Sequence, residues 1–110
     1  MKSDLALQLM SELLWNAVLI SAPLLGLTLA VGLGVADTVD ETLGAARARV
    51  KWPNDVWVDE HKIAGILIEG TSTGHTLDSL VIGLGLNVNR REFPEGLDTP
   101  PTSLALCAAS

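Results

Sequence analysis

A chain of 110 residues holds one domain. It is 48% hydrophobic and 18% charged, which excludes a disordered segment. Seven Lys and Arg against 13 Asp and Glu leave a formal charge of −6. The cations are scattered and form no basic patch, which argues against binding nucleic acid by bulk electrostatics. Cys107 is the single cysteine and can form no internal disulfide, which fits a reducing cytoplasm. His61 and His75 have no cysteine nearby, so no zinc spacing is present.

At the start of the chain, Ser3 or Asp4 can cap a short helix carrying Leu5, Leu9, Met10 and Leu13. From Leu13 to Ala36 no residue is charged, and 24 such residues are enough to span a bilayer. Pro23 interrupts the run, and Asp4 and Glu12 precede it with only Lys2 in opposition. The run is therefore read as a buried strand, Leu14 to Ile20, followed by a buried helix that opens at Pro23, with no membrane as partner. Leu24, Leu27, Val31, Val35 and Val39 form the apolar stripe of that helix. Gly26, Gly32 and Gly34 suit close approach to a sheet, and Gly44 ends the helix.

Beyond Gly44 the period changes from helix to strand. Arg49–Trp52 alternates polar and apolar residues, and Pro53-Asn54-Asp55 is a turn. Val56–Val58 is a short strand and Asp59-Glu60-His61 a tight turn. Lys62–Glu69 and Leu77–Asn89 are apolar strands joined by a loop over Gly70–Gly74. Arg90–Thr102 is rich in Pro, Gly and charge and reads as an exposed loop. Thr102 or Ser103 caps a last apolar turn, Leu104–Ala109. The predicted class is α+β, an antiparallel sheet packed by one long apolar helix.

Three clusters can carry chemistry, and each also has a purely local explanation. Asn54 and Asp55 end a strand and present a carboxamide and a carboxylate, yet both residues favour turns for their own reasons. Lys62 opens an apolar strand, where a lysine is either solvated or aimed into a pocket, and Gly65 hints at close backbone approach. Gly83 and Gly85 alternate in a strand and leave one face bare, which suits a flat ring or tight helix packing. That segment is no dinucleotide fingerprint, since it ends a strand and lacks the third glycine.

Taken in order, Lys51-Trp52-Pro53-Asn54-Asp55, then Lys62–Glu69, then Val81–Asn89 resemble the centre of biotin protein ligases. The resemblance covers about residues 14 to 110, a partial catalytic domain of the class II synthetase-like biotin/lipoate ligase fold. It implies activation of biotin by ATP and magnesium as biotinyl-5′-adenylate, then transfer to a lysine of a biotin carboxyl carrier protein. By motif, Lys62 would contact the biotin carboxylate and the α-phosphate. Asn54 and Asp55 would serve nucleotide and magnesium, with Asp55 also deprotonating the acceptor lysine. Asn87 would contact the adenylate, and Gly65, Gly83 and Gly85 would floor the ligand.

The chain departs from the family pattern: a Ser/Thr-Asn biotin-binding segment, an Arg- and Gly-rich loop and a small carboxyl-terminal β-domain of the family have no counterpart in this sequence. The family's Gly-Arg-Gly-Arg biotin loop lies upstream of the apolar strand, and no Gly-Arg pair occurs here. The resemblance therefore implies an incomplete catalytic domain with weak or absent activity alone and an open sheet edge suited to homodimerisation. The alternative is an inactive remnant or partner-binding module that keeps the adenylate-facing sheet. A lipoate ligase fits the Trp-Pro-Asn-Asp turn less well.

Overall fold

The computed structural model describes residues 2–110, apart from the side chain of residue 20. Helix α1 spans Lys2–Leu43 and is followed by strands β1 (Ala48–Lys51), β2 (Asp55–Val58), β3 (His61–Thr73) and β4 (Thr76–Leu86), then helix α2 (Leu104–Ala108). The strands form one antiparallel sheet in the order β1-β2-β3-β4, the meander that the alternating pattern predicts.

The largest departure from expectation lies before the sheet. Residues 14–20 are not a strand, and no separate helix precedes them: α1 is continuous, with Pro23 inside it. A strand satisfies its backbone only by pairing with a neighbour, and no strand of the sheet pairs with this segment. A helix satisfies the same groups internally, and the Leu- and Ala-rich sequence favours it. That gain outweighs the bond that Pro23 cannot donate to residue 19. At about 1.5 Å per residue the helix accounts for the 66 Å long dimension of the molecule. By length and composition α1 is apolar enough to cross a membrane.

The two ends of α1 have different surroundings. Val35, Ala36 and Val39 are buried against Val56, Val58, Ile63 and Ala64 of the sheet, with Val31, Leu43 and Val50 at the margin. The buried stripe follows Thr28 where Leu27 was expected. Leu27 is exposed, and Thr28 hides its hydroxyl by donating to the Leu24 carbonyl at 2.8 Å. Of the three helix glycines, Gly32 alone lets the sheet approach, since a Cβ there would stand 3.3 Å from Val50; Gly26 and Gly34 face open space. Leu5, Leu7, Leu9, Met10, Leu13, Leu14 and Trp15, toward the other end, are exposed.

Turn chemistry sets the boundaries. Gly44 takes φ 71° and the Ala45 amide donates back to the Asp40 carbonyl, which closes α1 with a left-handed cap. Asp59 and Glu60, both at positive φ, form the two-residue turn between β2 and β3. The expected loop over residues 70–74 is shorter: β3 and β4 run on to Thr73 and Thr76, and Gly74 at φ 60° turns the hairpin with His75. At the other end β4 stops at Leu86, short of Asn89. Ser103 is the cap of α2, accepting from the Leu106 amide.

Ile63 is wholly buried at the centre of the core, so Ile63→Ala is expected to cost about 3 kcal/mol. Leu67 is 59% exposed on the same strand, and Leu67→Ala is expected to stay within about 0.5 kcal/mol. Urea denaturation of the two variants checks the contrast.

Candidate functional site

The two faces of the sheet differ in chemistry. Val50 and Val56 are register partners on the face beneath α1. The alternating residues place Arg49 and Lys51 of β1 opposite Trp57 and Asp55 of β2 on the other face. There the Lys51 ammonium lies 4.0 Å from the centre of the Trp57 ring, a cation–π contact.

Lys62 reaches this polar face through a break in register. Val56 pairs with Ala64, but Trp57 pairs with Lys62, so Ile63 is an extra residue in β3. In an unbroken strand Lys62 and Gly65 would point to opposite faces. The bulge reverses the alternation and re-aims the lysine. The Lys62 ammonium then lies 3.1 Å from the Asp55 carboxylate and beside the bare Cα of Gly65, where a Cβ would come within 3.4 Å of it. The displaced Ile63 goes into the core.

Gly65 pairs with Gly85 across β3 and β4, so two adjoining strands are bare at the same level. They floor a cavity of about 480 Å³, lined also by Lys62, Asn87, Leu97, Asp98 and Pro101. An added Cβ at Gly85 would meet nothing within 4 Å and would project into open space. Asp55 joins the site through its ion pair with Lys62. The neighbouring Asn54 anchors the turn with its carbonyl, which accepts from the Ile66 amide at 2.9 Å. Gly83 lies two residues up β4, paired with Leu67 and outside the cavity lining.

The cavity has a wall that sequence reasoning missed. Residues 90–102 are not wholly an exposed loop. The chain returns along β3, where Lys62 N–H donates to the Pro100 carbonyl and Thr102 N–H donates to the Lys62 carbonyl, both at 2.8 Å. Thr102 and Ser103 are buried. Asn87 locks this return: its side-chain amide donates to the Thr102 carbonyl at 3.1 Å, and its own carbonyl accepts from the Leu104 amide. Leu97, Asp98, Thr99 and Pro101 thereby become lining residues. The one local signal was Pro100-Pro101, a dipeptide that holds backbone extended ahead of the Ser103 cap.

Comparison with known proteins places this arrangement. The sequence model of the Biotin/lipoate A/B protein ligase family matches residues 5–87. The chain belongs to this family. It is 36% identical over 86 residues to the bifunctional ligase/repressor BirA of Escherichia coli K12, covering 78% of this chain and 26% of that protein. It is 33% identical over 82 residues to the biotin–[acetyl-CoA-carboxylase] ligase of Paracoccus denitrificans, covering 71% and 34%. The biotin protein ligase of Aquifex aeolicus, solved in complex with biotin and ATP, superposes with a TM-score of 0.66 at 37% identity, over 79% of this chain and 35% of that one. The chain thus spans about a quarter to a third of the length of these relatives. The family assignment and the α+β ligase fold agree with the sequence reading.

Both side chains of the Asp55–Lys62 pair retain contact with solvent. Asp55→Asn is therefore expected to change stability by less than about 1 kcal/mol. Gly85→Leu is also expected to fold normally, because the new side chain enters empty space. Thermal denaturation of the two variants tests both statements.

Proposed function

We propose that this chain carries the adenylate-forming surface of a biotin protein ligase, which activates biotin with ATP and passes it to a lysine of a biotin carboxyl carrier protein. The observation that supports this most is Lys62, aimed by the bulge over a floor of paired glycines and beside a carboxylate. The family match and the Aquifex aeolicus ligase in complex with biotin and ATP support the same reading.

In the first step a biotin carboxylate oxygen attacks the α-phosphorus of ATP. A P–O bond forms, the bond to the β-phosphate bridge breaks, and pyrophosphate leaves. Two anions must approach each other, and the fixed Lys62 ammonium lowers the cost where they meet. Gly65 and Gly85 let flat parts of the ligands lie against backbone, and Gly83 extends that bare strip. In the second step the acceptor amine attacks the acyl carbon and AMP leaves. Asp55, within reach of Lys62, takes the amine proton. Asn87 borders the adenylate from the end of β4.

Magnesium fits this donor set in one way only. Among the described residues no group of three or more His, Cys, Asp or Glu could cage an ion. Magnesium binds commonly through one or two carboxylates, its waters and substrate phosphates. Asp55 would supply that carboxylate, with the Asn54 carboxamide beside it. The bound ion would neutralise phosphate charge.

A cytoplasmic setting belongs to the same proposal, supported by the lone Cys107. So does self-association through the free edge of β4, where Leu77, Val81, Ile82 and Leu84 are exposed. Those exposed residues also favour the second reading, a partner-binding module without catalysis.

Amide resonances followed during Mg·ATP titration decide between the two. Shifts at Lys62, Gly65, Gly85 and Asn87 are expected, with Lys62→Ala weakening binding at least about tenfold, as loss of a charge-assisted contact does. Gly85→Leu is expected to block binding while leaving the fold intact. Biotin-dependent pyrophosphate–ATP exchange is expected to be slow in this chain and to vanish in Lys62→Ala. A folded chain that binds no ATP leaves the partner-binding reading. Exchange that survives Lys62→Ala overturns the role given to that lysine.

A further inference from the structure

The return of the chain to Lys62 is fastened from outside the cavity, by Arg47. Helix α2 has five residues, too few to hold their shape without tertiary contacts. Arg47 lies in the connection between α1 and β1, and its backbone is fixed there, since the amides of Arg47 and Ala48 both donate to the Asp40 carboxylate at 2.8 and 2.6 Å. Its guanidinium then reaches two further segments. One nitrogen donates to the Cys107 carbonyl and another to the Ser110 hydroxyl, each at 2.9 Å, at the C-terminal end of α2. Nε donates to the Asp59 carboxylate at 3.1 Å, and Nη2 forms an ion pair with the same carboxylate.

The positions of these acceptors matter more than their number. Asp59 stands in the turn that leads directly into His61 and Lys62. Cys107 and Ser110 stand at the far end of the helix that begins just after Thr102 and Ser103. One guanidinium therefore grips the approach to both partners of the Lys62–Thr102 pairing. Cys107 adds to the connection from inside, with its sulfur 3.5 Å from the Thr102 hydroxyl. The planar fork of arginine can serve three acceptors in different directions, which a lysine cannot do. The hydrogen bond with Asp59 raises the Arg47 pKa above its ordinary value, in keeping with the ion pair between them.

We propose that Arg47 is a positioning residue: it latches α2 to the β2–β3 turn and so holds residues 97–102 as the wall of the cavity beside Lys62. It does not line that cavity. The consequence for nucleotide binding rests on the ligase reading; the latch itself does not.

Residue-resolved amide hydrogen exchange of the chain tests it without any ligand. In Arg47→Gln, protection at Lys62 and Thr102 is expected to fall about tenfold or more by local opening, while the Ile66 amide, bonded to Asn54 on the other side of β3, stays within about twofold. Asp59→Asn, which removes one anchor and leaves α2 untouched, is expected to give the same pattern at smaller amplitude. Arg47→Lys is expected to restore part of the protection. Unchanged protection at Lys62 and Thr102 in both Arg47→Gln and Asp59→Asn overturns the latch. Equal loss at Ile66 overturns it too, because Arg47 would then support the whole fold and not this wall. With Mg·ATP added, Arg47→Gln is expected to bind about tenfold more weakly than the unsubstituted chain, the effect of a binding surface that is no longer held in shape. If the unsubstituted chain binds no ATP, the ligase reading fails, and the exchange pattern still decides the latch.

Discussion

The bulge at Ile63 is the constraint on which the site depends. One unpaired residue in β3 moves Lys62 from the helix-facing side of the sheet to the side of Asp55 and Gly65. The same residue fills the middle of the core, where it is wholly buried. Core packing and site geometry are therefore one event. The hydrophobic burial of Ile63 against α1 holds the register that keeps a cation over the glycine floor. An unbroken strand would leave a charged lysine facing Val39 and Val58, at a heavy desolvation cost.

Around that point the molecule divides by sheet face. Valine, isoleucine and alanine from α1 and the strands fill one side. Arginine, lysine, aspartate and bare glycine occupy the other. This division lets the site stay open and polar without weakening the core, since a substitution at Gly85 or Asp55 touches none of the buried contacts. The third side of the site comes from the return segment, whose backbone pairs with Lys62 itself. Lys62 is thus held by β2 through its register, by residues 100 and 102 through its main chain, and by Asp55 through its ammonium.

The surfaces away from this centre are less covered. The exposed leucines, Met10 and Trp15 of α1 have no partner within the chain, and β4 offers a free edge. Exposed apolar area on this scale is what the proposed self-association or partner binding would cover. The segment matched here makes up about a quarter to a third of its relatives. Residues 14–20 pair with no strand and satisfy their backbone by coiling on themselves.

Much of this was legible in the sequence because it is local. Alternation at Arg49–Trp52 and turn residues at Asn54, Asp59 and Gly74 determined a meander, since strand period and left-handed turns are properties of a few neighbouring residues. The spacing from Trp-Pro-Asn-Asp to Lys62 and on to Gly83–Asn87 determined the family for the same reason. The tertiary structure alone decided three things. It made residues 14–20 helix, because a strand is defined by a partner that no local pattern contains. It put Lys62 on the polar face, because a bulge is a property of two paired strands and not of one. It brought Leu97–Pro101 to the site and Arg47 to the end of α2, because their contacts join segments far apart in the chain, and hydrogen bonds between such segments leave no period in the sequence to read.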